Sequence, residues 1–226
     1  MNRYTTVIFD LDGTLLDTLD DLTAGVNHML SVLKLPPCLP AQVRQWVGDG
    51  SEMLIERCLP EGRADLRFAQ ACHIYRDYYL THSRDKTAPY RGIPELLTKL
   101  HRTGFQLGIV SNKFDPAVKE MAQVYFASLI DVAIGESENI RRKPAPDSLL
   151  RAIEQLNSLP KETLYVGDSE VDIMTAANAG VDCVSVTWGF RNKDHLITIG
   201  ARQLIDRPED LLPLLKGATT CHSFCL

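Results

Sequence analysis

Long apolar runs are absent from this 226-residue chain, and nothing in it approaches the ~20 consecutive apolar residues of a membrane-spanning helix. An excess of positive charge is absent too. Lys and Arg number 24 against 29 Asp and Glu, a formal net charge of −5, which argues against non-specific binding to nucleic acid. No Cys-x-x-Cys pair occurs. Cys38, Cys58, Cys72, Cys183, Cys221 and Cys225 are scattered, and free thiols are expected where no secretory signal is read. The first apolar stretch is interrupted by Asp10 and Asp12 and lacks a small-residue cleavage pattern, so a cytoplasmic location is expected. There is no internal repeat and no low-complexity segment. The end, Cys221 to Cys225 around His222, reads as a mobile tail rather than a zinc fragment, and its cysteines do not sit where prenylation needs one.

What is present is a globular composition, 45% hydrophobic and 23% charged, in a chain long enough to bury a sizeable core. The length suits one large domain or one domain with an insertion. Val7-Ile8-Phe9 is short, β-branched and aromatic, which predicts a buried strand. Gln106–Val110, Leu164–Val166, Cys183–Val186 and Asp131–Ile134 predict further strands. Helices are predicted between them over Pro94–Arg102, Pro146–Asn157 and Val171–Ala179. Pro146 suits a first helical position, and Gly180 stands where a C-cap glycine would. Strands alternating with helices predict an α/β fold with a parallel sheet, whose ligands bind outside the carboxyl ends of the strands. From about Leu16 to Arg84 the alternation stops. Leu22, Val26, Met29, Leu30 and Leu33 make a helical stripe; Met53, Leu54 and Ile55 follow the loop Gly48–Ser51; Phe68, Cys72, Tyr75 and Tyr79 also keep helical spacing. No strand is expected in this block, which is read as an inserted lid.

The chemistry concentrates at predicted strand ends. Asp10 and Asp12 follow the first strand, where they either cap a turn or hold a hard cation such as Mg²⁺. Ser111 and Asn112 follow Val110, Lys143 precedes a helix, Asp168 follows the strand ending at Val166, and Asp172 lies four residues later. Together these supply what phosphoryl transfer needs. Asp10 can be a carboxylate nucleophile that forms an aspartyl-phosphate. Asp12 can protonate the leaving oxygen and then deprotonate water. Ser111 donates to a phosphoryl oxygen, Lys143 adds positive charge, Asp168 holds the metal, and Asp172 binds its waters or orients neighbours.

Asp10-Leu11-Asp12-Gly13-Thr14, Ser111-Asn112, Lys143-Pro144 and Gly167-Asp168 with Asp172 resemble the four ordered motifs of the haloacid dehalogenase-like phosphatase superfamily, over about residues 7–215. The resemblance implies a Rossmann-like core with an α-helical cap inserted after the first motif. It also implies Mg²⁺ on the Asp10 carboxylate, the Asp12 backbone carbonyl and the Asp168 carboxylate. An aspartate at position 12 favours phosphoester hydrolysis over halide displacement. Gly48-Asp49-Gly50-Ser51, Pro89-Tyr90-Arg91-Gly92, Trp188-Gly189-Phe190 and Leu204–Pro208 are similar to phosphoglycolate phosphatases in particular, with Arg91 where proline is usual. The expected layout is a core of 1–15 and 85–216, a cap of 16–84 and a tail of 217–226. The expected partner is a small phosphorylated metabolite, bound by Thr14, Gly48, Gly50 and Ser51, with Arg44 a candidate cation from the cap; nucleic acid and membrane are not expected. A monomer or homodimer fits. Other phosphate-ester or pyrophosphate hydrolysis, a β-phosphoglucomutase-like mutase and a phospho-aspartate switch are the alternatives.

Overall fold

The computed structural model describes residues 3–215. Its strands are β1 (Thr6–Phe9), β2 (Leu16–Asp17), β3 (Ala88–Pro89), β4 (Gln106–Phe114), β5 (Val132–Glu136), β6 (Thr163–Gly167), β7 (Asp182–Val186) and β8 (Leu204–Ile205). Six form one all-parallel sheet in the order β5-β4-β1-β6-β7-β8, with β1 at the centre. A parallel sheet covered on both faces needs apolar residues at every position, not at alternate ones. That is why its strands are short apolar runs. Val7 and Phe9 of β1, Ile109 of β4 and Leu164 of β6 enter one core cluster; Ile8, Val110 and Tyr165 enter the cluster on the opposite face.

Helices α1 (Leu19–Val32), α2 (Pro40–Trp46), α3 (Ser51–Cys58) and α4 (Phe68–His82) come between β2 and β3; α5 (Ile93–Arg102), α6 (Asp115–Phe126), α7 (Asp147–Gln155), α8 (Glu170–Ala179), α9 (Lys193–Thr198) and α10 (Leu211–Leu215) follow. α5 and α6 cover the first sheet face through Leu97, Leu100, Val118 and Met121. α7 and α8 cover the second through Leu149, Ile153 and Ala176. Helices α1–α4 pack around a cluster of their own, which includes Val26, Met29, Ile55 and Tyr75.

Three details differ from the expectation. Leu16–Asp17 is a strand, paired antiparallel with Ala88–Pro89, so the excursion into α1–α4 begins and ends in one short ribbon. Pro146 caps α7 instead of opening it. β4 continues through Ser111, Asn112 and Lys113 to Phe114, with a register shift against β5 after Val110. The ribbon is pinned by Asp21, which is buried and accepts from the Lys86 and Thr87 amides and the Thr87 hydroxyl, at 2.7–3.1 Å. Cys38, Cys58, Cys72 and Cys183 are free thiols, as expected; the expected tail of 217–226 lies outside the described residues. Among the described residues, no helix is long and apolar enough to cross a membrane.

Candidate active site

β4, β1 and β6 are neighbours and parallel, so their carboxyl ends bring Ser111–Lys113, Asp10–Asp12 and Asp168 to one edge. That edge and the inner side of α1–α4 enclose a cavity of about 560 Å³, within the usual range for small-ligand sites. The core lines it with Asp10, Asp12, Ser111, Asn112, Lys143 and Asp168. The helical layer adds Gly48, Gly50, Ser51, Tyr75, Arg76 and Tyr79.

Carboxylate oxygens of Asp10, Asp168 and Asp172 lie within 4.8 Å of one another, and all three residues are buried. Lys143, whose side chain is 2% exposed, stands among them: Nζ is 2.9 Å from Asp10 Oδ1 and 2.7 Å from Asp172 Oδ1, and donates to the Tyr165 hydroxyl at 3.0 Å. One lysine against three buried acids is a deficit of positive charge. Burial, then the Asp172 charge, pushes Asp10 well above the usual carboxylate range, with Lys143 opposing. The same two causes push Asp168 up to about 7, against hydrogen bonds from the Phe190 amide and Thr14. Burial alone would depress Lys143, but Asp10 and Asp172 outweigh it and hold the ammonium firmly protonated.

A hard divalent cation fits this donor set, because oxygen ligands suit it and its charge would relieve the deficit. The three acids are not equivalent. Asp172 Oδ1 is taken by Lys143 and Tyr165, and Oδ2 accepts from the Asp168 and Ser169 amides and the Ser169 hydroxyl. Its oxygens are committed to orienting Lys143 and capping α8. Asp10 accepts only on Oδ1, from the Leu11 amide and Lys143, so Oδ2 has no protein donor among the described residues.

Asp168 is gripped from both sides. Gly13, at φ +84°, would place a Cβ 2.5 Å from Asp168 Oδ2, so only glycine fits. Gly189 packs equally tightly on the Asp168 side chain and on the Gly13 carbonyl. Thr14 donates to Asp168 Oδ1 at 3.1 Å and is fully buried. Expected to meet substrate, it instead positions an acid, because the turn after β1 folds it inward.

Asn112, expected among the catalytic groups, lines the cavity and also braces it. Its amide donates to the Gly48 and Lys143 carbonyls at 3.0 and 2.9 Å, and its Oδ1 accepts from the Lys143 amide at 2.7 Å. It therefore fixes Lys143 and the 48–51 loop together. Arg44 does not reach the cavity. Its guanidinium donates to the Phe190 and Gly189 carbonyls at 2.8 and 2.6 Å, so it joins the two layers.

Sequence reasoning missed Lys113. Its ammonium is 2.8 Å from Asp12 Oδ1 and 2.7 Å from the Tyr79 hydroxyl of α4, with 6% of the side chain exposed. Continuing β4 past Val110 was the signal that would have found it. Arg76 and Arg142 are further cavity cations that were missed; Arg142 pairs with Glu136 at 3.1 Å.

Residues 7–186 match the family described as haloacid dehalogenase-like hydrolase. The chain is 34% identical over 213 residues to the phosphoglycolate phosphatase of Pseudomonas putida, covering 92% of this chain and 78% of that one. It is 32% identical over 230 residues to the phosphoglycolate phosphatase of Salmonella typhimurium, covering 92% and 91%. The crystal structure of a predicted phosphoglycolate phosphatase from Haemophilus somnus matches with a TM-score of 0.87 at 26% identity, over 95% of this chain and 99% of that one. A 31% identical chain from Lactobacillus delbrueckii subsp. bulgaricus matches with a TM-score of 0.91, over 96% and 100%. With that family match across residues 7–186 and relatives above 30% identity over most of its length, the chain belongs to the haloacid dehalogenase-like hydrolases.

Proposed function

We propose that the protein is a Mg²⁺-dependent phosphomonoesterase that works through an aspartyl-phosphate on Asp10. The observation that carries this is Asp10 itself: buried at the end of β1, bonded to Lys143 through Oδ1, and facing the cavity with Oδ2 free of protein donors among the described residues. Asp10 and Asp168 would hold the ion through their carboxylates, and Asp12 through its backbone carbonyl. When bound, Mg²⁺ supplies the charge that lets Asp10 ionise and removes its repulsion of an incoming phosphate.

In the first half-reaction an Asp10 oxygen forms the bond to phosphorus as the ester O–P bond breaks. The Asp12 carboxyl gives its proton to the departing alcohol. In the second, Asp12 takes a proton from water, which displaces Asp10 and releases inorganic phosphate. The Lys113 ammonium, 2.8 Å from Asp12 Oδ1, orients the Asp12 side chain for both. Ser111 donates to a phosphoryl oxygen, and Lys143 balances the charge of the Asp10 oxygen that it touches. The helical layer covers the reacting atoms, excludes bulk water and presents the Gly48–Ser51 loop and Arg76 to the leaving group.

The substrate we propose is 2-phosphoglycolate, in the cytoplasm; the likeness to phosphatases of that name supports it. The test is phosphate release from 2-phosphoglycolate, sugar phosphates, nucleotides and pyrophosphate, with Mg²⁺ and then with EDTA. A preference for phosphoglycolate of about tenfold, roughly 1.4 kcal/mol of transition-state discrimination, is expected. Asp10→Asn should abolish turnover in a folded protein, and Asp12→Asn should slow hydrolysis while still allowing Asp10 to be phosphorylated. Turnover by Asp10→Asn near the wild-type rate would remove the nucleophile from the scheme.

A further inference from the structure

The segment Trp188–Arg191 contacts both layers and the acid cluster at once. On the core side, the Trp188 indole donates to the Thr14 carbonyl at 3.0 Å, and Gly189 lies against Gly13 and Asp168 with no room for a side chain. The Phe190 amide donates to Asp168 Oδ2 at 2.7 Å. On the other side, the Phe190 ring is buried in the cluster formed by α1–α4.

The two layers also exchange arginines. Arg44 of α2 donates to the Gly189 and Phe190 carbonyls. Arg191 donates back to the Arg44 and Val47 carbonyls at 2.9 and 3.0 Å, at the end of α2, where helix carbonyls lack partners of their own. Glu170, the first residue of α8, balances Arg191 at 2.8 Å. Phe190 is therefore held by its ring and carbonyl from the helical layer, while its amide holds Asp168. The helical layer cannot move away without withdrawing the ring from its cluster or the amide from the carboxylate.

We propose that Phe190 is a positioning residue for Asp168, and that the seating of α1–α4 on the core sets the affinity of the acid cluster for a divalent cation. This rests on the reading of Asp168 as a metal ligand. Coupling of this kind is reciprocal, so a bound cation also favours the seated layer. Groups that orient a metal ligand typically govern affinity by 10–100-fold.

The test is Mn²⁺ affinity of the full chain, read from the EPR signal of free Mn²⁺, with thermal melts to establish folding. Phe190→Ala and Arg44→Ala should each weaken binding about tenfold, although Arg44 touches no acid of the cluster. Phe190→Leu should restore most of the loss. Arg63→Ala, whose ion pairs stay within the helical layer, should bind as wild type. Wild-type affinity in folded Arg44→Ala would overturn the coupling even if Phe190→Ala binds poorly, since Asp168 would then be set by the core alone. Wild-type protein that binds no Mn²⁺ would overturn both this proposal and the metal assignment above; wild-type binding with unaltered variants would overturn this one only.

Discussion

Replacing Lys143 with methionine keeps an unbranched side chain and deletes the one cation that, among the described residues, bonds directly to acids of the three-acid cluster. Its ammonium lies within 3.0 Å of Asp10, Asp172 and Tyr165, with 2% of the side chain exposed. Removing one member of a buried ion pair typically costs about 3–5 kcal/mol, because the remaining charge is left uncompensated. For a chain of this length each kcal/mol moves the melting temperature by about 2–4 °C, so a fall of about 6–20 °C is expected. The fall should be measured in EDTA at about pH 8, where Asp10 is under the greater pressure to ionise. At about pH 5.5 it should shrink, since protonation of Asp10 relieves the same repulsion. Mg²⁺ should return part of the lost stability to the variant but not its turnover. Thermal melts by circular dichroism at the two pH values, with and without Mg²⁺, give all of these comparisons. A Lys143→Met protein that melts within about 2 °C of wild type in EDTA at the higher pH would refute the charge-balance account, since less than about 1 kcal/mol would then be at stake.

The cation and the Asp168 proton should compete. Burial and Asp172 hold Asp168 at about 7 when folded, so the folded protein keeps a proton that the unfolded chain has lost, and metal-free stability falls as pH rises from about 4 to about 7. The gain in melting temperature from saturating Mg²⁺ should therefore be larger at about pH 8 than at about pH 5.5, and equal gains would contradict it. Gly13→Ala puts a Cβ 2.5 Å from Asp168 Oδ2 at a φ of +84°. It should weaken Mn²⁺ binding about tenfold or more, and unchanged affinity in calorimetry would show that Asp168 is not a ligand. Asp21→Ala strips the partners from two amides and a hydroxyl at the return of the β2–β3 ribbon. A loss of roughly 3 kcal/mol or more in urea unfolding is expected, and a loss below about 1 would mean that the donors find other partners.

The core of this fold could be read from composition and period because a doubly covered parallel sheet writes itself as short apolar runs. Leu164-Tyr165-Val166 supplies both faces of the sheet in three residues. β2, β3 and β8 could not be read that way, since a two-residue strand has no period. The acids were legible because charge at the end of a buried strand has few explanations. Arg44 was misassigned for a different reason. Its partners are backbone carbonyls of a loop far along the chain, and a carbonyl leaves no mark on residue type. Asn112 and Thr14 were found as part of the site, but their bonds to Lys143, Gly48 and Asp168 were not foreseen. Type and spacing say that a polar side chain is near the chemistry; only the fold says whether it faces the substrate or another protein group.

The ribbon of Leu16–Asp17 and Ala88–Pro89 also bears on how such an enzyme changes over evolutionary time. The chain enters and leaves the helical excursion through this separate two-stranded ribbon, with Leu16 opposite Pro89 and Asp17 opposite Ala88. An excursion that closes on itself can grow, shrink or be exchanged at little entropic cost, because closure entropy rises only with the logarithm of loop length. The register of β1 with β4 and β6, which aligns the reacting groups, is set outside that excursion. The helical excursion can thus be revised in one part of the gene while the strand-end cluster of acids and lysine is inherited intact in another.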